Sequence, residues 1–187
     1  MKSPFYFVVK PKEGKRYSNN KDVGGVSLIT STSIENHLAS NREGVVEELP
    51  AGYEGPVSVG DTLLVHHNVF KTYYDMKGNE RSGRSFLKDD LFFVDDEQFY
   101  MYKSGGRWKT HSKYCFVEPI DKKDSLIYKP GREEPLVGVV RYGNDKLDAL
   151  GVHEGDEVIF EPETEYEFQV DDRKMYRMFV NNIVAKL

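Results

Sequence analysis

The sequence predicts an all-β protein assembled from one small β unit written twice. Three observations carry this. Short runs of β-branched and aromatic residues alternate with polar ones and are broken by Gly, Asn and Asp. Helix signal is confined to residues 33–39 and 145–150, enough for a turn or two each. The same strand motifs also recur in the same order at nearly constant separation, the mark of a tandem duplication.

The first copy begins with Phe7-Val8-Val9-Lys10-Pro11, continues through Gly44-Val45-Val46 and Val59-Gly60-Asp61-Thr62-Leu63-Leu64-Val65, and closes on Leu87-Lys88-Asp89-Asp90-Leu91-Phe92-Phe93-Val94. The second begins with Phe116-Val117-Glu118-Pro119 and continues through Gly138-Val139-Val140 and Glu154-Gly155-Asp156-Glu157-Val158-Ile159-Phe160. It closes on Met178-Phe179-Val180-Asn181-Asn182-Ile183-Val184-Ala185. Positions 44 and 138, 60 and 155, and 91 and 183 lie 94, 95 and 92 residues apart. In each copy Gly-Asp ahead of an alternating apolar strand predicts a tight turn, with glycine at positive φ and the aspartate bonding the turning backbone. Asp75-Met76-Lys77-Gly78-Asn79, Ser104-Gly105-Gly106-Arg107 and Asp171-Asp172 read as hairpin tips. The boundary falls near residues 105–113, giving domains 1–104 and 113–187.

A chain of 187 residues buries roughly 70% of its unfolded surface, enough for one large or two small cores. The net charge of −5 and a pI near 5.6 disfavour a dedicated nucleic-acid binder. Cys115 stands alone, so no internal disulfide forms, which fits a reducing cytosol. The apolar run 5–9 is too short for a secretion signal or a membrane span. The expectation is a soluble cytoplasmic protein without an anchor.

The order Gly-Val-Val, then Val-Gly-Asp-x-[Val/Leu]-[Ile/Leu]-[Val/Phe], then a hairpin and a polar step into a final apolar strand resembles chaperonin-10, the GroES-type co-chaperonin family. The second copy is the closer match, through Gly151-Val152-His153-Glu154-Gly155-Asp156-Glu157-Val158-Ile159-Phe160, the hairpin over 166–176 and the closing Asn182-Ile183-Val184-Ala185. The resemblance implies two tandem GroES-like small β-barrels with hairpin insertions. Terminal strands in that family complete a neighbour's sheet, so residues 5–9 and 182–187 are expected as edges that drive homo-oligomer formation.

The copies differ between their first two strands. From Pro11 to Gly44 is 33 residues and from Pro119 to Gly138 is 19. In chaperonin-10 this interval holds a mobile loop whose apolar tip docks on the chaperonin. Here polar residues and Ser/Thr flank one apolar cluster, Gly24-Gly25-Val26-Ser27-Leu28-Ile29, resembling the Gly-Gly-[Ile/Val]-x-Leu of that loop. Such flanks bury too little surface to order themselves, so the segment 15–40 is expected to fold on a partner. The alternative is a strand with a glycine bulge, packing Val26 and Leu28 or Ile29 inward.

No arrangement points to catalysis. His66-His67 are neighbours that a strand would send to opposite faces, and His37, His111, His153 and Cys115 are scattered, so neither metal nor cofactor is expected. GroES-like folds also occur in zinc alcohol dehydrogenases, but their nucleotide domain, Gly-x-Gly-x-x-Gly turn and cysteine ligands are missing here. The acid pairs Asp89-Asp90, Asp95-Asp96 and Asp171-Asp172 read as solvated turns rather than general acid/base sites. Cations and rings interleave over 99–114, where Lys103, Arg107, Lys109 and Lys113 surround Trp108, the only tryptophan. This hairpin reads as a domain or subunit contact, with an anionic strand as the lesser possibility.

The implied function is non-enzymatic: a co-chaperonin that caps a GroEL-like chaperonin ring through its apolar loop while a client folds inside. The alternative is a structural or assembly protein, of viral type for example, that keeps the barrel without binding a chaperonin.

Overall fold

The computed structural model describes residues 3–17, 40–121 and 133–187, together with the backbone of 20–23 and 26–29. The expected helix at 33–39 lies outside them, as do residues 122–132. Contacts divide the chain into two units, Met1–Arg107 and Trp108–Leu187, with the division inside one strand.

The first unit contains β1 (Phe7–Pro11), β2 (Asn20–Val23), β3 (Val26–Ile29), β4 (Glu43–Glu48), β5 (Thr62–Val65), β6 (Thr72–Tyr74), β7 (Glu80–Ser82), β8 (Phe86–Lys88), β9 (Leu91–Val94) and β10 (Phe99–Ser104). β11 (Arg107–Thr110) follows across a turn in which Gly105 and Gly106 both take positive φ, the conformation a two-residue hairpin loop needs. The large antiparallel sheet has the order β11-β10-β5-β4-β1-β9-β8, while β2-β3 and β6-β7 are separate two-stranded sheets. Phe7, Val9, Val46, Leu63, Val65, Phe92, Val94 and Phe99 alternate into one core, with Val57, Val69 and Phe70 supplied by the connections. Edge-to-face pairs, Phe7 with Phe99 at 5.4 Å and Phe70 with Phe92 at 4.9 Å, fill it.

The second unit contains β12 (Tyr114–Asp121), β13 (Glu133–Tyr142), α1 (Asp145–Ala149), β14 (Glu157–Phe160), β15 (Tyr166–Val170), β16 (Arg173–Phe179) and β17 (Ile183–Lys186), with sheet order β15-β16-β12-β13-β14-β17. Asn144 caps α1 by accepting from the N–H groups of Lys146 and Leu147, which drops Leu147 into a core with Cys115, Val117, Val140, Val158, Phe160 and Met178. Among the described residues the protein is therefore all-β apart from this helical turn and two short 3-10 turns. The strand order of each large sheet runs from one edge to the other without returning, so its hydrogen bonds leave it open rather than closed into a barrel.

The two sheets share one pairing scheme. Val9 faces Val46 and Pro11 faces Gly44; Val117 faces Val140 and Pro119 faces Gly138, with an irregularity one residue earlier in each strand. Gly44 then faces Leu63, as Gly138 faces Val158. At the Gly-Asp turns Gly60 donates to Val46 O and Asp61 O accepts from Val46 N; Gly155, Asp156 and Val140 repeat both bonds. Gly60 and Gly155 sit at φ 91° and 95°, which favours glycine there.

The pairing corrects the sequence alignment of the closing strands. Val9 faces Phe92 where Val117 faces Tyr176, so β9 corresponds to β16 rather than to residues 183–185. The counterpart of β17 is β10: Leu63 faces Tyr102 and Val65 faces Phe99, as Val158 faces Lys186 and Phe160 faces Ile183. Asp89-Asp90 thereby matches Asp171-Asp172, both pairs at positive φ in two-residue turns. Two successive apolar strands share the same period of two, so sequence alone permits the slip.

The expected edges also change. β1 is central, hydrogen-bonded to β4 and β9 and buried at Phe7, Val8 and Val9, whereas β17 does form an edge and exposes Val184.

Candidate functional site: an inserted hairpin and its anchor

The loop segment leaves the first sheet after Pro11 through a 3-10 turn at Lys12–Gly14, with Glu13 and Gly14 at positive φ, and returns at β4. Between these points β2 and β3 form a hairpin: Val23 pairs with Val26, Asp22 with Ser27, Lys21 with Leu28 and Asn20 with Ile29. Val26, Ser27, Leu28 and Ile29 are thus all β3, paired to β2 and to neither large sheet. Gly24 and Gly25, which join the two strands, lie outside the described residues.

The neck of this insertion is built from residues the sequence reading passed over. Tyr17 pairs with Ser40, and Asn41 N–H donates to Arg16 O at 2.9 Å. The Asn41 carboxamide spans the gap, its Nδ2 donating to Lys12 O at 3.0 Å and Lys15 O at 2.6 Å while its oxygen accepts from Glu43 N–H at 2.9 Å. Lys12 and Glu43 form an ion pair beside it. The Arg16 guanidinium stacks 5.0 Å from the Phe86 ring and 4.9 Å from the Phe92 ring, donates to Ser82 Oγ at 2.9 Å, and pairs with Asp90 at 2.8 Å. The Tyr17 hydroxyl accepts from Thr72 N–H at 2.8 Å.

These contacts correct the expectation that 15–40 as a whole carries few packed groups. Arg16, Tyr17 and Ser40 are fastened to the first unit. The signal missed was Arg16-Tyr17: a cation and a ring in a polar stretch, which hold the neck by stacking and hydrogen bonding rather than by apolar burial.

The basic hairpin is arranged differently from a stacking surface. Arg107 and Lys109 are exposed and Lys103 half-buried, but Trp108 lies between the two exposed residues on the opposite face, only 7% exposed, with its indole Nε1–H donating to Asp171 at 3.3 Å. Tyr100, Tyr102 and Tyr114 are buried as well. Single-strand binding needs open rings beside the cations, and these rings are taken up by the fold.

His66 and His67 fall just after β5, where their rings stack at 4.1 Å instead of pointing apart. Among the described residues no group of three His, Cys, Asp or Glu side chains is placed to hold a metal ion. Cys115 is enclosed in the second core, and burial pushes its thiol up to about 12, so it is inert as a nucleophile at neutral pH. Among the described residues no helix is long and apolar enough to cross a membrane. No protein-family model and no curated protein matches the chain.

Proposed function

We propose that the chain is a tandem co-chaperonin of the chaperonin-10 type, made of two open GroES-like barrels, of which the first carries the docking element. The observation that carries this reading is the β2–β3 hairpin, whose Val26-Ser27-Leu28-Ile29 strand follows Gly24-Gly25 in sequence, set on a clamped neck and hydrogen-bonded to neither large sheet. Its place between the first two strands and its residues resemble the family's docking loop. The repeated pairing scheme supports a duplicated unit of this kind.

In this mechanism the apolar strand enters a groove on the rim of a nucleotide-loaded ring, the ring closes, and the enclosed client folds. The co-chaperonin performs no chemistry and holds no nucleotide. Ordering each loop costs entropy, so single contacts are weak and several chains on one ring restore avidity. Self-association is part of the proposal. The exposed β17 edge, with Val184 and Leu187 beside it, gives a second copy a strand to pair with.

The test uses the purified full chain with a bacterial chaperonin ring and Mg-ATP. The chain should alter the ring's ATPase and co-sediment with it. Leu28→Asp should abolish both while leaving the melting temperature within a degree or two, because a charge cannot enter an apolar groove cheaply. Absence of any effect from the unaltered chain, or a collapse of Leu28→Asp stability, would assign the fold to a structural role instead.

A further inference from the structure

The β6–β7 hairpin is a second insertion in the first unit. Residues 66–85 separate β5 from β8, where 161–165 separate β14 from β15. Thr72 faces Ser82 at the foot of this hairpin, and the foot is fastened to the neck: Thr72 N–H donates to the Tyr17 hydroxyl and Ser82 Oγ accepts from Arg16. At the far end Asp75 N–H donates to Asn79 O and Asp75 O accepts from Gly78 N–H, both at 2.9 Å. The Asp75 carboxylate accepts from the N–H groups of Lys77 at 2.9 Å and Asn79 at 3.0 Å. All of these tip bonds run through residues 75 and 77–79. The Met76 side chain takes part in none of them and is fully exposed, among the exposed polar residues Lys77, Asn79, Glu80 and Arg81.

The other sulfur atoms of the described residues are sealed. Met101 on β10 is 0% exposed, and Met175 and Met178 on β16 are each 1% exposed. Cys115, the only cysteine, is enclosed in the second core with Met178. A thioether is oxidised by peroxide where the reagent reaches it, and the product sulfoxide is polar, so at a core position it disrupts packing. At Met76 the side chain has no packing to lose.

We propose that Met76 is a reversible oxidation site, taken to the sulfoxide by hydrogen peroxide and returned by a methionine sulfoxide reductase, on a fold that keeps its other described sulfur atoms out of reach. The Met76 sulfur gives an electron pair to one peroxide oxygen as the O–O bond breaks. An S–O bond forms, and the departing oxygen takes up both protons and leaves as water. Sulfur is thereby oxidised by two electrons and the peroxide reduced by the same two. The return step draws its two electrons from a pair of thiols, which become a disulfide while the sulfoxide oxygen leaves as water. Exposure and burial carry this site independently of the chaperonin reading.

The experiment treats the folded full chain with hydrogen peroxide and follows oxygen uptake at each methionine by peptide mass spectrometry, with melting temperature measured alongside. Met76 should take up one oxygen at least about tenfold faster than Met101, Met175 and Met178. The singly oxidised chain should melt where the unaltered one does, and a methionine sulfoxide reductase with dithiothreitol should restore the starting mass. In urea the four residues should react at similar rates. Met76→Leu, which keeps an apolar side chain at the tip, should lose the fast uptake and nothing else. Uptake at Met76 no faster than at the three core methionines would overturn the proposal, as would an advantage that persists in urea, since exposure in the fold would then not be its cause. A fall in melting temperature that tracks oxidation of Met76, or a sulfoxide there that the reductase leaves untouched, would equally overturn it.

Discussion

Gly138 packs so tightly beneath Val117 that a Cβ at this position would strike the valine side chain and lie 2.7 Å from Glu118 O. Its counterpart in the first unit, Gly44, has more room: a Cβ there would meet Phe70 Cζ at 3.0 Å and Val9 Cγ2 at 3.2 Å. The Gly-Val-Val motif therefore marks a close cross-strand approach rather than a turn, and the two copies enforce it to different degrees. Gly138→Ala should cost about 3 kcal/mol and Gly44→Ala about 1 kcal/mol, the range for overpacked sites. Urea unfolding of the two variants checks this, and equal small losses would contradict the difference in clearance.

Tyr17→Phe keeps the ring and deletes only the hydroxyl that accepts from Thr72 N–H, leaving that amide unpaired in a residue 1% exposed. The expected cost is about 1–2 kcal/mol. Hydrogen exchange at the Thr72 amide should quicken while exchange in β12–β17 stays unchanged, since the two units have separate cores. Unaltered Thr72 exchange would mean that the neck does not hold the second hairpin.

Trp108 is enclosed, so its fluorescence should be blue-shifted and insensitive to added single-stranded oligonucleotide at physiological salt. Trp108→Ala should destabilise by about 3–5 kcal/mol, as loss of a buried ring does. Quenching on titration with oligonucleotide, together with a mild Trp108→Ala, would reinstate the hairpin as an anion-binding surface.

The Asp156 carboxylate is held below its ordinary 3.8 by Lys186, 2.6 Å away on β17, and by the N–H of His153. Because the folded value is the lower one, this contribution is complete above the unfolded pKa and is lost as pH falls through the folded value. Asp156→Asn should thus be less stable than the unaltered chain at pH 7, and the difference should shrink below about pH 4. Melting curves from pH 7 to pH 2 read it directly. A gap that stays constant over that range would show that the ion pair contributes nothing through ionisation.

Much of the architecture was legible because its signals are local. Gly60-Asp61 and Gly155-Asp156 announce turns, residues 145–150 announce a helical turn, and Ser104-Gly105-Gly106-Arg107 announces a hairpin, each through conformations or bonds made within a few residues. The duplication was legible for the same reason, since these devices recur in order. Strand correspondence was not. Residues 91–94 and 99–103 are both apolar alternations, and only cross-strand hydrogen bonding decides that Phe92 faces Val9 while Phe99 faces Val65.

The sequence by itself determined the all-β class, the repeat and the composition of the inserted strand β3, because period, turn chemistry and polarity are properties of short segments. Tertiary structure alone decided that β1 is central, that Trp108 is enclosed, and that Arg16 and Tyr17 join two insertions over fifty residues apart at Thr72 and Ser82. Those are pairings of distant side chains. Their energies depend on which surfaces the folded chain brings together, and no local pattern encodes that.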